Sequence, residues 1–354
     1  MTSTDQPSVD RLTGDPVPSG PVQGRWVRRA GITAAGCALA AQLIAPAALD
    51  HVAGTLAVIG VLIGVPHGAV DHLVPFWCTG RRITVGALSS VLVRYVAVLA
   101  AALIAVLTVP LPTLWVFLGA AALHFGRGEV VAAADAARRP APRPWQDLAP
   151  MLAHGAVTVG LPLAAWGSVS LPVLDRVAPG FAGTSPVVLR GIVTATLVLV
   201  LLAGGLLLRA GRRAEAGELA LLAGLFAWVP PLAAFGVYFG LWHAARHTLR
   251  LVSLPGADGT VDLRAGTVRY LRGAALPTSA AIALLVGLPT RGTGSGSLLA
   301  AELALLVGLT APHLGSVVAL DRWQAARTAG QEGPESKLSV AVRAARESAA
   351  LRAP

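Results

Sequence analysis

Residues 187–208 read VVLRGIVTATLVLVLLAGGLLL, and the stretch from Gly191 onward carries no charge. A helix needs about 20 predominantly apolar residues to cross a bilayer, so this stretch reads as a transmembrane span. Stretches of the same kind recur on both sides of it. They predict spans at 30–49, 54–77, 90–111, 112–127, 148–168, 187–208, 216–230, 231–251, 273–289 and 298–320. Two of them, 112–127 and 216–230, are short for a crossing, and Pro230-Pro231 marks either a boundary or a kink. The expected fold is all-α, a polytopic transmembrane helix bundle of about 10 spans, with 8 or 9 as alternatives. Three regions are expected. A disordered cytoplasmic extension over 1–29 is rich in Pro, Gly, Ser, Thr and Asp. A membrane-embedded domain covers 30–323, and a cytoplasmic tail covers 324–354.

Composition supports the same reading. Hydrophobic residues make up 55% of the 354 positions and charged residues only 13%, against about 25% charged in a soluble domain. That excludes a soluble enzyme, a nucleic-acid binder and a disordered scaffold. The net charge of +10 lies in short basic runs between apolar stretches, not on a continuous basic face, so no nucleic-acid partner is expected. With the amino terminus inside, 25 of the 28 Lys and Arg fall on the cytoplasmic side, and only Arg176, Arg190 and Arg291 lie in or beside outer loops. This is the asymmetry of the positive-inside rule, and it predicts a multi-pass plasma-membrane protein with both termini in the cytoplasm.

The histidines are informative through their depth. His67 and His72 fall in the inner half of the second predicted span and His124 near the inner end of the fourth. His154 lies two turns into the fifth, His243 and His247 in the inner half of the eighth, and His313 in that of the tenth; His51 sits in an outer loop. One intramembrane histidine is usually a core residue bonded to a carbonyl. Seven in one layer mark a site. His243 and His247, four apart, project about 40° from each other on a helix and suit one metal. His67 and His72, five apart, diverge by about 140°, so both on one ion is not expected unless Pro66 and Gly68 distort the helix. Asp71 shares a face with His67. It reads either as the acceptor for that imidazole's free N–H or as the partner of a buried arginine such as Arg246.

Neutral imidazoles without thiolate or carboxylate suit iron, copper or zinc and not magnesium or calcium. An all-histidine site with open positions suits Fe(II) meeting dioxygen. A bis-imidazole haem would leave the other histidines without a role. A two-iron membrane desaturase would show adjacent His-His pairs, and this chain has none. Phe76, Trp77, Trp115, Phe117, Phe125, Tyr238, Phe239 and Trp242 cluster near these positions, as a pocket for a long apolar substrate would require.

The run Gly64-Val65-Pro66-His67-Gly68-Ala69-Val70-Asp71-His72 resembles the PHGAxD motif of the Brp/Blh family of membrane β-carotene 15,15'-dioxygenases. His124-Phe125-Gly126 followed by Glu129 is similar to that family's second histidine motif, and Tyr238-Phe239-Gly240-Leu241-Trp242-His243-Ala244-Ala245-Arg246-His247 resembles its third. Pro312-His313 resembles a further histidine near the end of the family domain. The resemblance implies cleavage of the central double bond of β-carotene with O2, giving two all-trans-retinal at a four-histidine Fe(2+) site. By motif the ligands would be His67, His124, His243 and His247, with Asp71, His72 and His313 in supporting positions. Phe125, Tyr238, Phe239 and Trp242 would line the pocket, and the carotenoid would enter from membrane lipid.

Two other readings stand beside this one. A histidine-lined metal-ion transporter should carry polar residues through both halves of the membrane, whereas the outer halves here are nearly all Ala, Leu, Val and Gly. A non-catalytic carotenoid- or retinoid-binding membrane protein would keep the fold without turnover.

Overall fold

The computed structural model describes residues 21–137, 139, 142, 144–256, 260–287 and 295–331, and among them every regular element is helical. Helix α1 (Pro21–Ile44) is followed by α2 (Pro46–Gly64), which runs on through Val65 into the short α3 (Pro66–Ala69); α4 (Val74–Thr79) comes after a turn. The long α5 (Val85–Thr108) and α6 (Pro110–Ala136) come next. Then α7 (Pro144–Gly155) passes through a π-helical segment, Ala156–Gly160, into α8 (Leu161–Ala164), and the chain bends into α9 (Gly167–Asp175). Beyond α10 (Pro186–Arg209) and α11 (Arg213–Trp228), α12 (Pro231–Gly236) continues through a second π segment, Val237–Ala244, into α13 (Ala245–Val252). The last described helices are α14 (Leu263–Gly287) and α15 (Ser295–Gln331).

Local chemistry sets many of the starts. Proline stands in the first turn of α2, α6, α10 and α12, where its fixed φ suits a helix and its missing N–H costs nothing. The Thr84 and Ser185 hydroxyls accept from the Ala87 and Val188 amides and cap α5 and α10.

Among the described residues, five helices are long and apolar enough to span a membrane: Pro46–Ala69, Val85–Thr108, Pro110–Ala136, Pro186–Arg209 and Ala304–Arg327. A sixth is possible if Trp145–Ala164 and Gly167–Asp175, bent by 86°, act as one. The expected ten spans are therefore not confirmed. Among the segments read as spans, Arg213–Trp228 has only 16 residues, and the segment from Pro231 to Val252 carries His243, Arg246, His247 and Arg250 in its second half. The short span expected at 112–127 is instead the middle of the 27-residue α6. The span expected at 54–77 starts at Pro46 and ends at Ala69, because the chain turns at Val70–Leu73. Helix α1 already covers residues 21–29 of the expected disordered extension, and α15 carries the expected tail as far as Gln331. Residues 1–20 and 332–354 lie outside the described residues.

The main core joins α1, α2, α7, α10, α11 and the second π segment around Leu222, Phe226, Tyr238 and Trp242. A second cluster, with Val70, Leu251, Tyr270 and Leu320, ties the turn after α3 to α13, α14 and α15. Val93, Ile104, Leu107 and Leu201 are exposed on α5 and α10, an apolar surface suited to lipid and not to water. Helices α2 and α12 meet backbone to backbone: a Cβ on Gly60 would overlap Gly236, and one on Gly236 would overlap the Leu56 carbonyl. Small residues at such crossings let helices approach where lipid supplies no hydrophobic drive. This contact places the start of the second π segment against the end of α2, which carries the first histidine motif.

Candidate metal centre

Four separate stretches of helix bring five imidazoles together: His67 from α3, His124 from α6, His243 and His247 from the continuous run of the second π segment into α13, and His313 from α15. His67 lies 5.7 Å from His243, 5.5 Å from His247 and 4.8 Å from His313, centroid to centroid. His124 lies 5.0 Å from His243 and 5.2 Å from His313, and His247 lies 5.7 Å from His313. All but His124 are buried. The rings meet edge to face, at interplanar angles of 72–88°. Among the described residues, no three His, Cys, Asp or Glu side chains form a group ready to hold a metal ion as they stand.

The ring nitrogens are unevenly used. Nδ1–H of His67 donates to the Gly64 carbonyl, one turn back on the same helix. His313 Nδ1 lies 2.9 Å and 3.2 Å from the two Asp71 oxygens. Nε2 of His243 and Nε2 of His313 are buried without any hydrogen-bond partner. An unsatisfied buried donor or acceptor costs about 1–3 kcal/mol, so two in one cluster call for an explanation such as an ion. A cavity of about 10 Å³, room for one water or one ion, is lined by His124, His243, His247, Arg250 and Asp321. A larger groove of about 750 Å³ opens between Leu73, Trp77, Arg269 and Gly273, away from the histidines.

The remaining sequence-derived candidates divide. Asp71 bonds His313, and neither His67 nor Arg246; the turn at Val70–Leu73 carries it off the face it would share with His67 on a continuous helix. His72 lies on that turn, half-buried beside Asp71 and the Ala69 backbone. His154 Nδ1 donates to the Pro150 carbonyl at 2.8 Å, as a core histidine does. His51 is exposed on α2 and not in a loop. Phe125 packs on His243 at 4.8 Å and Phe239 on His67 at 5.5 Å, centroid to centroid. Tyr238 and Trp242 are fully buried, and their polar ends are turned to a carboxylate.

That carboxylate is Glu129, marked beforehand only by its place in a motif. It accepts from the Tyr238 hydroxyl at 3.1 Å, the Trp242 Nε1–H at 2.8 Å and Arg246 Nη1 at 2.8 Å. Arg246 also bonds Glu218 at 2.8 Å and lies 4.3 Å over the Trp242 ring, and Glu218 pairs with Arg28. Glu129 thus ties α6 to the segment bearing His243 and His247. An acidic residue inside an apolar helix was the available signal.

Fold and site together define an all-helical membrane protein with a buried histidine cluster. Residues 58–321 match the family described as β-carotene 15,15'-dioxygenase. The probable β-carotene 15,15'-dioxygenase Blh of Halobacterium salinarum is 32% identical over 294 residues, covering 75% of this chain and 83% of that protein. No solved structure matches. The chain belongs to the β-carotene 15,15'-dioxygenase family, and with it to the carotenoid-cleaving enzymes.

Proposed function

We propose that this protein uses Fe(II) and O2 to cleave the central double bond of β-carotene into two all-trans-retinal. The observation that carries the reading is the gathering of five imidazoles from four stretches of helix with two buried, unpartnered ring nitrogens. Such a donor set, with no thiolate, with Asp71 bonded to His313 and with Asp321 bonded to Arg127 and Arg250, fits iron. The His67–His243, His67–His247 and His124–His243 centroids lie 5.7, 5.5 and 5.0 Å apart, close enough for rings that would share one ion. Histidine χ2 is a broad torsion, so the rings re-aim at small cost.

His67, His124, His243 and His247 would hold the iron. Bound there, Fe(II) would supply the spin-allowed route by which O2 reacts with a closed-shell polyene. The protein's part is orientation and exclusion. The Gly64 carbonyl fixes the His67 tautomer and leaves Nε2 free to ligate. Phe125 and Phe239 flank the rings, where they would hold the polyene in register, and their faces suit developing positive charge. Burial of the surrounding positions keeps water from the reacting bond. The carotenoid would reach this region from the bilayer of the plasma membrane, the protein crossing it in up to ten spans with both termini in the cytoplasm.

The test is expression in cells that make β-carotene, with pigment and retinal measured together, and metal analysis of the purified protein. The expected result is pigment loss, retinal formation and about one iron per chain. His67→Ala should lose both iron and retinal, whereas His72→Ala should keep its iron. Stoichiometric zinc or haem in active preparations would defeat the assignment.

A further inference from the structure

We propose that His313 is itself a metal-binding residue, with Asp71 as the carboxylate that orients it. The proposal rests on the iron-centre reading above and enlarges its donor set from four imidazoles to five. Position is the first argument. His313 lies 4.8, 5.2 and 5.7 Å from the rings of His67, His124 and His247, against 5.7, 5.5 and 5.0 Å for His67–His243, His67–His247 and His124–His243. Without it, His124 would reach the other three only through His243.

The second argument is the division of labour between the two ring nitrogens. Nδ1 is occupied by both oxygens of Asp71, itself 2% exposed, so the N–H sits on that side. Nε2 is then an acceptor with a free lone pair, buried and unpartnered among the other imidazoles. A carboxylate on one nitrogen and an open lone pair on the other is the arrangement that makes an imidazole a stronger, fixed ligand. A histidine kept only for packing has no reason to leave Nε2 bare, since buried polar atoms are overwhelmingly paired. His154 provides the contrast: its Nδ1 bonds a carbonyl of its own helix, and it lies outside the ring cluster. Gly68 completes the arrangement. A Cβ there would lie 3.4 Å from His313 Nδ1 and 3.8 Å from an Asp71 oxygen, so Gly68 packs directly against the pair.

The experiment uses the full chain in detergent, as wild type, His313→Ala, Asp71→Asn and His51→Ala, each required to elute as a single species. Fe(II) and Co(II) are titrated anaerobically, with bound metal measured by elemental analysis and Co(II) geometry by its visible spectrum. The expected result is metal affinity lower by at least tenfold in His313→Ala, with a changed Co(II) spectrum partly restored by added imidazole. Asp71→Asn, which keeps the side chain's shape, should weaken binding about 10–100-fold, and His51→Ala should match the wild type. Wild-type affinity and spectrum in a folded His313→Ala, beside a metal-replete wild type, would overturn this proposal alone. A wild type that binds neither metal would overturn it together with the iron centre. Should His313→Ala fail to fold, Asp71→Asn decides: unchanged affinity and spectrum there would also overturn it.

Discussion

Glu129 shows what a single residue does in this bundle. Its two oxygens receive donors from Tyr238, Trp242 and Arg246, and all four side chains are buried or nearly so. Removing one partner of a buried ion pair costs about 3–5 kcal/mol, because the other charge stays behind. Glu129→Ala strands three donors at once and is expected to lower thermal stability by about that amount, measured by melting in detergent. Glu129→Gln retains acceptor capacity for Tyr238 and Trp242 but loses the charge facing Arg246, whose remaining pair is Glu218. Its loss should be about half or less. Equal melting of wild type and Glu129→Ala would show that the network contributes nothing to holding the segment that carries His243 and His247.

At the scale of the element, helices meet by what they lack. Gly236→Ala sets a methyl group into the Leu56 carbonyl and must push α12 from α2, a strain of about 1–3 kcal/mol. Gly205→Ala, exposed on α10 with open space around its Cβ, should be neutral or stabilising by about 0.5–1 kcal/mol. Melting both variants in one detergent checks the contrast, and a Gly236→Ala as stable as Gly205→Ala would deny the close crossing. These elements also show what was legible beforehand. The apolar runs marked helices, Pro230-Pro231 marked one boundary, and intramembrane depth singled out the histidines, whereas Pro46 and Pro110 start new helices inside stretches read as the single spans 30–49 and 90–111. The turn at Val70–Leu73 was not legible, because the apolar run continues through it to Val74 and Phe76. Angles drawn on a continuous helix therefore paired Asp71 with His67 or Arg246. The segment Val237–Ala244 forms a π-helix that ends just after His243, a feature the spacing of His243 and His247 does not announce. The place of His313 depends on where α15 crosses α3 and α6, a tertiary fact that spacing along one helix does not contain.

For the whole molecule, two asymmetries bear on one another. Across the chain, 25 of 28 Lys and Arg fall in segments assigned to one side. Near the histidines, the charged residues lie at that same end: Glu129 on α6, Arg246 and Arg250 beyond His243, and Asp321 two turns past His313. Arg250 and Arg127 both bond Asp321, so α6, α13 and α15 are clasped just beyond the imidazoles on the basic side. A buried charge layer is costly in lipid and tolerable near water, and the opposite halves of the long helices are nearly free of charge. Dioxygen and a carotenoid are both more soluble in lipid than in water, so a site closed by ion pairs at its charged end suits the proposed reaction. The proposed orientation rests on the basic excess, which marks the cytoplasmic face in short loops. Reporter fusions placed after Trp323 and within the turn between α10 and α11 should both report the cytoplasm. An exterior signal at Trp323 with a cytoplasmic one at Gly211 would require an odd number of crossings between them. It would put His313 at the opposite depth from His124, and the common imidazole layer would then have to be abandoned.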